Sequence, residues 1–293
     1  MDFSNYINKL KEMMTVDGVV HKRFKHSLGV ADTAVELAKY FKLDVDLDKV
    51  YLAGLLHDCA KLYKREDLKS IIKLELDSDP ELIKAPSVWH SFAGLYVAED
   101  VFKVKDPDIL SAIYYHTTGK ANMTTYEKLI FAADYIEPSR EGDWVAPARE
   151  ACFINLDYGI YHILKEVNEY LISDDNFIYH LTKEAYDYTL KNYKALITVI
   201  DSLNKAVVKD LRVYDTRNYT PFYDYSIVSS ASTSRQAFAA VDYVRDSAER
   251  EGFNVISWTK EPDSEWYLID LGEIVVHVFV GDTRFSYNLD SMY

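Results

Sequence analysis

The sequence predicts two domains, an all-helical one followed by a small α/β one with a mixed sheet plus helices, and three observations predict them. The chain has 293 residues, long for one domain at about 100–200 residues each. Apolar residues recur at three- and four-residue spacing through roughly the first 200 positions. Beyond about residue 210 the pattern changes to short β-branched and aromatic runs. No Pro- or Gly-rich linker marks the change, so the expected domains are residues 1–197 and 198–293, joined by a short or helical connection.

In chain order, the first helix with a clear face is Ser27–Phe41, where Leu28, Ala31, Val35 and Ala38 fall on one side. Similar patterns predict helices over Leu47–Ala60, Ser91–Phe102, Ile109–Tyr115, Tyr126–Ile136, Ile154–Ile172 and Thr182–Val199. Asp79-Pro80, Ala85-Pro86, Asp106-Pro107, Gly119 and Glu137-Pro138 break the helices apart. Strand composition follows in Arg212–Asp215, Tyr225–Ala231, Asn254–Trp258, Trp266–Leu271 and Ile274–Val280. One helix lies among them. Ser232-Thr233-Ser234 supplies its cap, Ala237, Val241, Val244 and Ala248 its buried face, and Gly252 its end. Leu271-Gly272-Glu273 reads as a hairpin turn.

Composition narrows the function. Apolar residues make up 48% and charged residues 27% of the chain, a balance that supports a packed core. With 47 acidic against 33 basic side chains the net charge is −14, which argues against direct binding of nucleic acid or an anionic membrane. A phosphorylated substrate would need a local positive centre such as a metal ion. Cys59 and Cys152, the only cysteines, exclude a disulfide scaffold and a four-thiolate zinc site, and suit a reducing cytosol. The opening MDFSNYINKLKEMM lacks the apolar core of a signal peptide, and no run of about 18 apolar residues occurs, so a cytoplasmic location is expected.

All but one of the eight histidines fall in the helical part. His57-Asp58 closes the apolar run Tyr51–Leu56, where two adjacent side chains can reach one point beyond a helix end. Alone, the pair reads as a polar helix terminus. It is joined by His26, which opens one helix, His90 at the start of another, His116 after Ile113-Tyr114-Tyr115, and Asp134 among apolar neighbours. A buried carboxylate is costly unless paired or metal-bound, so convergence on one metal explains the set better than separate structural roles. Imidazole plus carboxylate suits iron, manganese, zinc or magnesium. Lys61 would share the helical face of His57 and Asp58 and could add a phosphate contact. His162 and His180 read as structural.

The strings Arg-Phe-Lys-His-Ser-Leu-Gly-Val, Ala-Gly-Leu-Leu-His-Asp-Cys-Ala-Lys, Tyr-His-Thr-Thr-Gly and Phe-Ala-Ala-Asp-Tyr-Ile-Glu-Pro-Ser-Arg resemble the YqeK family of HD-domain phosphohydrolases. The resemblance covers roughly residues 5–190. It implies an iron-dependent enzyme that cleaves diadenosine tetraphosphate symmetrically into two ADP, with manganese or another divalent ion as alternatives. It also implies metal ligands at His26, His57, Asp58 and Asp134, and catalytic roles for Asp58, His90 and His116. Arg23, His90, His116, Thr117, Asp134, Arg140 and the segment Thr182, Lys183, Glu184, Ala185, Tyr186 and Asp187 would contact the nucleotide. A bound divalent metal makes hydroxide available near neutral pH, and guanidinium groups such as Arg23 and Arg140 neutralise phosphate bidentately.

In the second part, Asp224–Val228, Ser234–Ala240, Glu265–Asp270, Glu273–Phe279 and Arg284–Asp290 resemble the ribosome silencing factor (Iojap, RsfS) family. The sequence departs from the family at Lys260-Glu261-Pro262-Asp263-Ser264, where a Glu-Gly pair is usual, and at Tyr293, where Trp is usual. The resemblance implies binding to the large ribosomal subunit through its fourteenth protein, a block on subunit joining and repression of translation. His277 is the only histidine there, and no partner set for catalysis accompanies it. The alternatives are an HD phosphohydrolase for another nucleotide, a non-catalytic nucleotide sensor that regulates the second domain, and a second domain that serves only to make a homodimer.

Overall fold

A computed structural model describes residues 2–293, and the chain divides into two compact units between Lys191 and Asn192. The first unit is helical apart from one small hairpin. Its elements are α1 (Ser4–Met13), β1 (Thr15–Val16), β2 (Val19–Val20), α2 (Lys22–Tyr40), α3 (Leu47–Leu56), α4 (Arg65–Ile71), α5 (Lys73–Ser78), α6 (Trp89–Asp100), α7 (Pro107–Tyr115), α8 (Thr125–Ile136), α9 (Val145–Ile154), α10 (Leu156–Ser173) and α11 (His180–Asn192). Two short 3₁₀ turns, Pro80–Lys84 and Pro86–Val88, precede α6, each opened by a proline at its first position. α2 and α3 approach closely because residue 54 is glycine: a Cβ there would lie 2.7 Å from the Ala31 Cα. Val30, Ala31, Ala34 and Leu37 of α2 and Leu52, Leu55 and Leu56 of α3 are buried.

Three expected helices differ in extent. The run Leu47–Ala60 stops at Leu56, and the chain continues in tight turns closed by Cys59 N→Leu56 O, Lys61 N→Asp58 O and Tyr63 N→Ala60 O. His57-Asp58 therefore sits just past a helix end, and Lys61 does not share a helical face with them. The run Ile154–Ile172 starts slightly early: Ile154 closes α9, and α10 begins after Asn155, whose side chain caps it by accepting from Tyr158 N. The run Thr182–Val199 is broken at Tyr193, and its second part belongs to the second unit. The hairpin β1–β2, turned by Asp17-Gly18 at positive φ, is only six residues long and carries too short a pattern to stand out in sequence.

The second unit contains α12 (Lys194–Lys205), β3 (Lys209–Asp215), β4 (Tyr225–Ala231), α13 (Ser234–Arg250), β5 (Ser257–Trp258), β6 (Trp266–Asp270), β7 (Ile274–Val280) and α14 (Thr283–Tyr287). The expected boundary at 197/198 lies within α12. The five strands form one mixed sheet in the order β3-β4-β7-β6-β5, with β4 and β7 parallel and the other pairs antiparallel. Gly272, at φ +85°, makes the β6–β7 turn. α13 lays Ala237, Ala240, Val241, Val244 and Ala248 on the sheet face that carries Ile227, Val276 and Ile269, all fully buried. On the opposite face Trp266 stacks on Phe279, and Tyr287 of α14 covers both. No helix among the described residues is long and apolar enough to cross a membrane.

Candidate metal centre

Five elements of the first unit deliver side chains to one point. His26 comes from the first turns of α2, His57 and Asp58 from just beyond α3, and His90 from the start of α6. His116 follows α7, and Asp134 lies near the end of α8. His57 and His116 are held by the same local device. Each occupies the position after its helix and donates Nδ1–H to the carbonyl three residues back, Gly54 O and Ile113 O, both at 2.7 Å. Because a carbonyl only accepts, the Nδ1 of each ring carries the proton, and Nε2 presents its lone pair to the cluster.

The Nε2 atoms meet there. His26 Nε2 lies 3.3 Å from His57 Nε2 and 2.9 Å from Asp134 Oδ1. His57 Nε2 stands 3.6 Å from Asp134 Oδ1 and 3.7 Å from Asp58 Oδ2. On the other side Asp58 Oδ1 is 3.4 Å from His90 Nε2 and 3.6 Å from His116 Nε2. Two groups of donor atoms are close enough to hold a cation, His26–His57–Asp134 and His57–Asp58–His116.

The donor set fits a divalent metal on two counts. His116 Nε2 is buried without a hydrogen-bond partner, an arrangement that costs free energy unless something fills it. Lone pairs and carboxylate oxygens face one another around a common point with too few protons to join them. A divalent cation held by either group would engage atoms that no proton joins.

Electrostatics agree with this focus. Burial works against ionisation of Asp58, yet His57, His116 and His90 around it hold its carboxyl well below the usual carboxylate range. Asp134 behaves alike: burial opposes its charge, and His26, His57 and Arg140 outweigh it. Burial, followed by the charge of Lys61, keeps His90 neutral well below its ordinary value. Lys61 is itself lowered by burial, and its Nζ sits 3.1 Å from His90 Nε2.

The other expected residues divide into two groups. Arg23 Nη1 donates to Asp58 Oδ2 at 2.9 Å, Arg140 Nε donates to Asp134 O at 2.8 Å, and Thr117 Oγ1 is 3.1 Å from His90 Nε2. These line the cluster. The segment Thr182–Asp187 lies on α11, where Ala185 packs beside Gly119, three residues after His116. Of the two histidines read as structural, His162 faces Glu166, and His180 bridges Asp79 and Glu184.

One residue at the cluster escaped the sequence reading. Glu137 is buried, and its Oε1 accepts from His26 Nδ1 at 2.9 Å. Burial opposes its charge, but Ser139 and His26 keep its carboxyl lowered. The signal available was an acid before a proline, at the end of an apolar helix that already carries Asp134.

Residues 23–139 match the HD domain family, and residues 189–293 match the family described as ribosomal silencing factor during starvation. The chain is similar to the symmetrical bis(5'-nucleosyl)-tetraphosphatase of Bacillus subtilis, 37% identical over 150 residues, 51% of this chain and 80% of the relative. It is also similar to the ribosomal silencing factor RsfS of the same organism, 29% identical over 85 residues, 29% of this chain and 72% of the relative. Among solved structures, a predicted HD superfamily hydrolase involved in NAD metabolism from Clostridium acetobutylicum covers 65% of this chain and 98% of its own. That pair superposes with a TM-score of 0.60 at 35% identity. Helical fold, histidine–aspartate cluster and kinship converge: this chain belongs to the HD-domain family of symmetrical bis(5'-nucleosyl)-tetraphosphatases and carries a ribosomal silencing factor domain as its second unit.

Proposed function

We propose that the first unit hydrolyses diadenosine tetraphosphate to two ADP in the cytoplasm, with iron held by His26, His57, Asp58 and Asp134. The observation that carries this reading is the convergence of imidazole Nε2 atoms and two carboxylates, with the opposite ring nitrogens of His57 and His116 committed to backbone carbonyls. A divalent cation bound there supplies Lewis acidity to a phosphoryl oxygen and acidifies water. Arg23 and Arg140 flank the cluster, each tied to one aspartate and each with N–H groups to spare for phosphate oxygens. His90, neutral beside Asp58, can take a proton from the attacking water, and His116 holds a second acceptor nitrogen next to it. Thr117 contacts phosphate, and Thr182–Asp187 contacts the nucleoside.

The second unit, in the same proposal, docks on the large ribosomal subunit through its fourteenth protein and blocks subunit joining. Its acidic excess favours a basic protein over RNA as the docking partner. Two assays on the full chain test the proposal. Iron- or manganese-loaded protein given diadenosine tetraphosphate should yield ADP alone, and ATP plus AMP would overturn the assignment. The same protein should pellet with purified large subunits at physiological salt. If it stays in the supernatant, the ribosomal role falls.

A further inference from the structure

We infer that Glu137 is a positioning residue for this centre: its carboxylate fixes His26 as the Nδ1–H tautomer and aims Nε2 at the cluster, in a slot that Gly29 keeps open. The inference rests on the metal-dependent reading proposed above.

His26 differs from the other two rings in what holds it. The Nδ1 atoms of His57 and His116 donate to neutral carbonyls of their own helices. His26 donates instead to a buried carboxylate 111 positions away. A carboxylate behind an imidazole fixes its tautomer and orientation and raises its basicity as a ligand. A backbone carbonyl does the first two with less effect on the third.

The carboxylate is itself prepared for this task. Ser139 N donates to Glu137 Oε2 at 2.7 Å and Ser139 Oγ to Oε1 at 2.5 Å, so it is anchored before His26 is counted. Pro138 restricts the backbone before it, and Glu137 is extended at φ −58°, ψ 153°, which ends α8 there. The main chain is held separately, by Glu137 N→Ala133 O and Arg140 N→Glu137 O. Replacing the side chain therefore leaves the loop its backbone bonds. An acid buried for packing alone would be a poor choice, since its desolvation needs compensation that an apolar residue would not.

Gly29 supplies an independent observation. It lies one turn after His26, and a Cβ there would come within 2.5 Å of Glu137 Oε2. Alanine is the better helix former in the middle of a helix, so glycine here runs against local preference. What it admits is the carboxylate end of the Glu137 side chain. A methyl group at residue 29 would move the Glu137 carboxylate rather than the helix.

The test measures Mn²⁺ affinity of the full chain by competition with a fluorescent chelator, alongside the melting of the metal-free protein. Glu137→Gln should weaken Mn²⁺ binding by about 10–100-fold, and the Mn²⁺ concentration for half-maximal hydrolysis should rise by the same factor. Gly29→Ala changes neither charge nor ligands. It should also weaken Mn²⁺ binding, by about 10-fold, while the metal-free protein melts no lower than the parent. Unchanged affinity in both variants overturns the inference. So does a Glu137→Gln protein whose melting falls and whose hydrolysis is not restored by excess Mn²⁺, because that marks a structural role. A parent chain that binds no Mn²⁺ would instead bring down the metal-dependent reading, and the inference with it.

Discussion

Among the buried histidine nitrogens with no hydrogen-bond partner, His116 Nε2 in the helical unit and His277 Nδ1 in the sheet unit could hardly be more different in surroundings. His116 Nε2 in the helical unit faces Asp58, with the rings of His57 and His90 at centroid distances of 4.9 and 5.2 Å. His277 Nδ1 in the sheet unit lies beside Trp266, on a strand whose neighbours are valines and Phe279. Burial depresses the His277 ring to about 4, with no charged group assisting or opposing it. A buried histidine is therefore no sign of a site by itself. What marks the helical cluster is that its neighbours are also acceptors, aimed at one point and orienting one another.

Removing one acceptor from the cluster should have the largest effect. Asp58→Ala should lower tetraphosphate hydrolysis by about 10³-fold or more and abolish metal binding with it, since several kcal/mol of charge stabilisation depend on the centre. Stoichiometric metal retained by this variant would show that Asp58 is no ligand. The matching injury to the sheet unit is Phe279→Ala. Phe279 is fully buried and stacks on both Trp266 and Tyr287, so its loss should cost about 3–5 kcal/mol. Hydrogen exchange of the β7 amides should accelerate while hydrolysis persists. A parallel loss of hydrolysis would mean that the two units do not fail separately.

The His277 environment also predicts a pH dependence for the sheet unit. Above about pH 6.5 His277 is neutral whether folded or unfolded, and costs nothing. As pH falls from 6.5 towards 4, the unfolded chain takes up a proton that the folded strand refuses. The sheet unit should lose up to about 3 kcal/mol across that window, and His277→Phe should remove that part of the slope. Urea midpoints of the β7 amides at several pH values read this directly, and an unchanged slope in the variant would place the acid sensitivity elsewhere. A smaller effect is expected at the cluster's rim. Arg140→Ala should raise the substrate concentration for half-maximal rate about 10–100-fold, the worth of one charged hydrogen bond, with metal content normal.

The same contrast explains what could be read from sequence. His26, His57, Asp58, His90, His116 and Asp134 announced themselves because chemistry-bearing residues stood at helix ends, where apolar periodicity gives no reason for them. Their order and contexts also matched a known family. Glu137 follows Asp134 by three residues, but its partner is His26, 111 positions away, and no local pattern links positions so far apart. Lys61 was placed on a helical face that does not exist. The run Leu47–Ala60 is apolar enough to look continuous, whereas His57 and the residues after it take three-residue turns that set the cluster's geometry. In the sheet unit the strands and α13 were legible from composition and capping, but the pairing order β3-β4-β7-β6-β5 was not, since it is fixed by contacts between distant strands.

The smallest expected difference lies in a device both units share. α8 begins with Thr124, whose Oγ1 accepts from Glu127 N at 3.3 Å while Glu127 Oε2 accepts from Thr124 N at 2.7 Å. α13 begins with Thr233, whose Oγ1 accepts from Gln236 N at 3.1 Å, and Gln236 Oε1 reaches back to Ser232 N at 2.8 Å. Removing a threonine cap costs about 1 kcal/mol. The two sites should not respond equally. Glu127 is also held by Lys120 at 2.9 Å and by Ser111, so it stays in place to satisfy the Thr124 N–H after the hydroxyl is gone. At Thr124 the lost hydroxyl bond is the longer of the two reciprocal bonds. Thr233→Ala should therefore destabilise the sheet unit by about 1 kcal/mol, and Thr124→Ala should destabilise the helical unit by less. Urea unfolding followed by amide exchange in each unit compares them. A larger loss at Thr124 would mean that the threonine hydroxyl, rather than the braced Glu127 carboxylate, holds the start of the helix that carries Asp134.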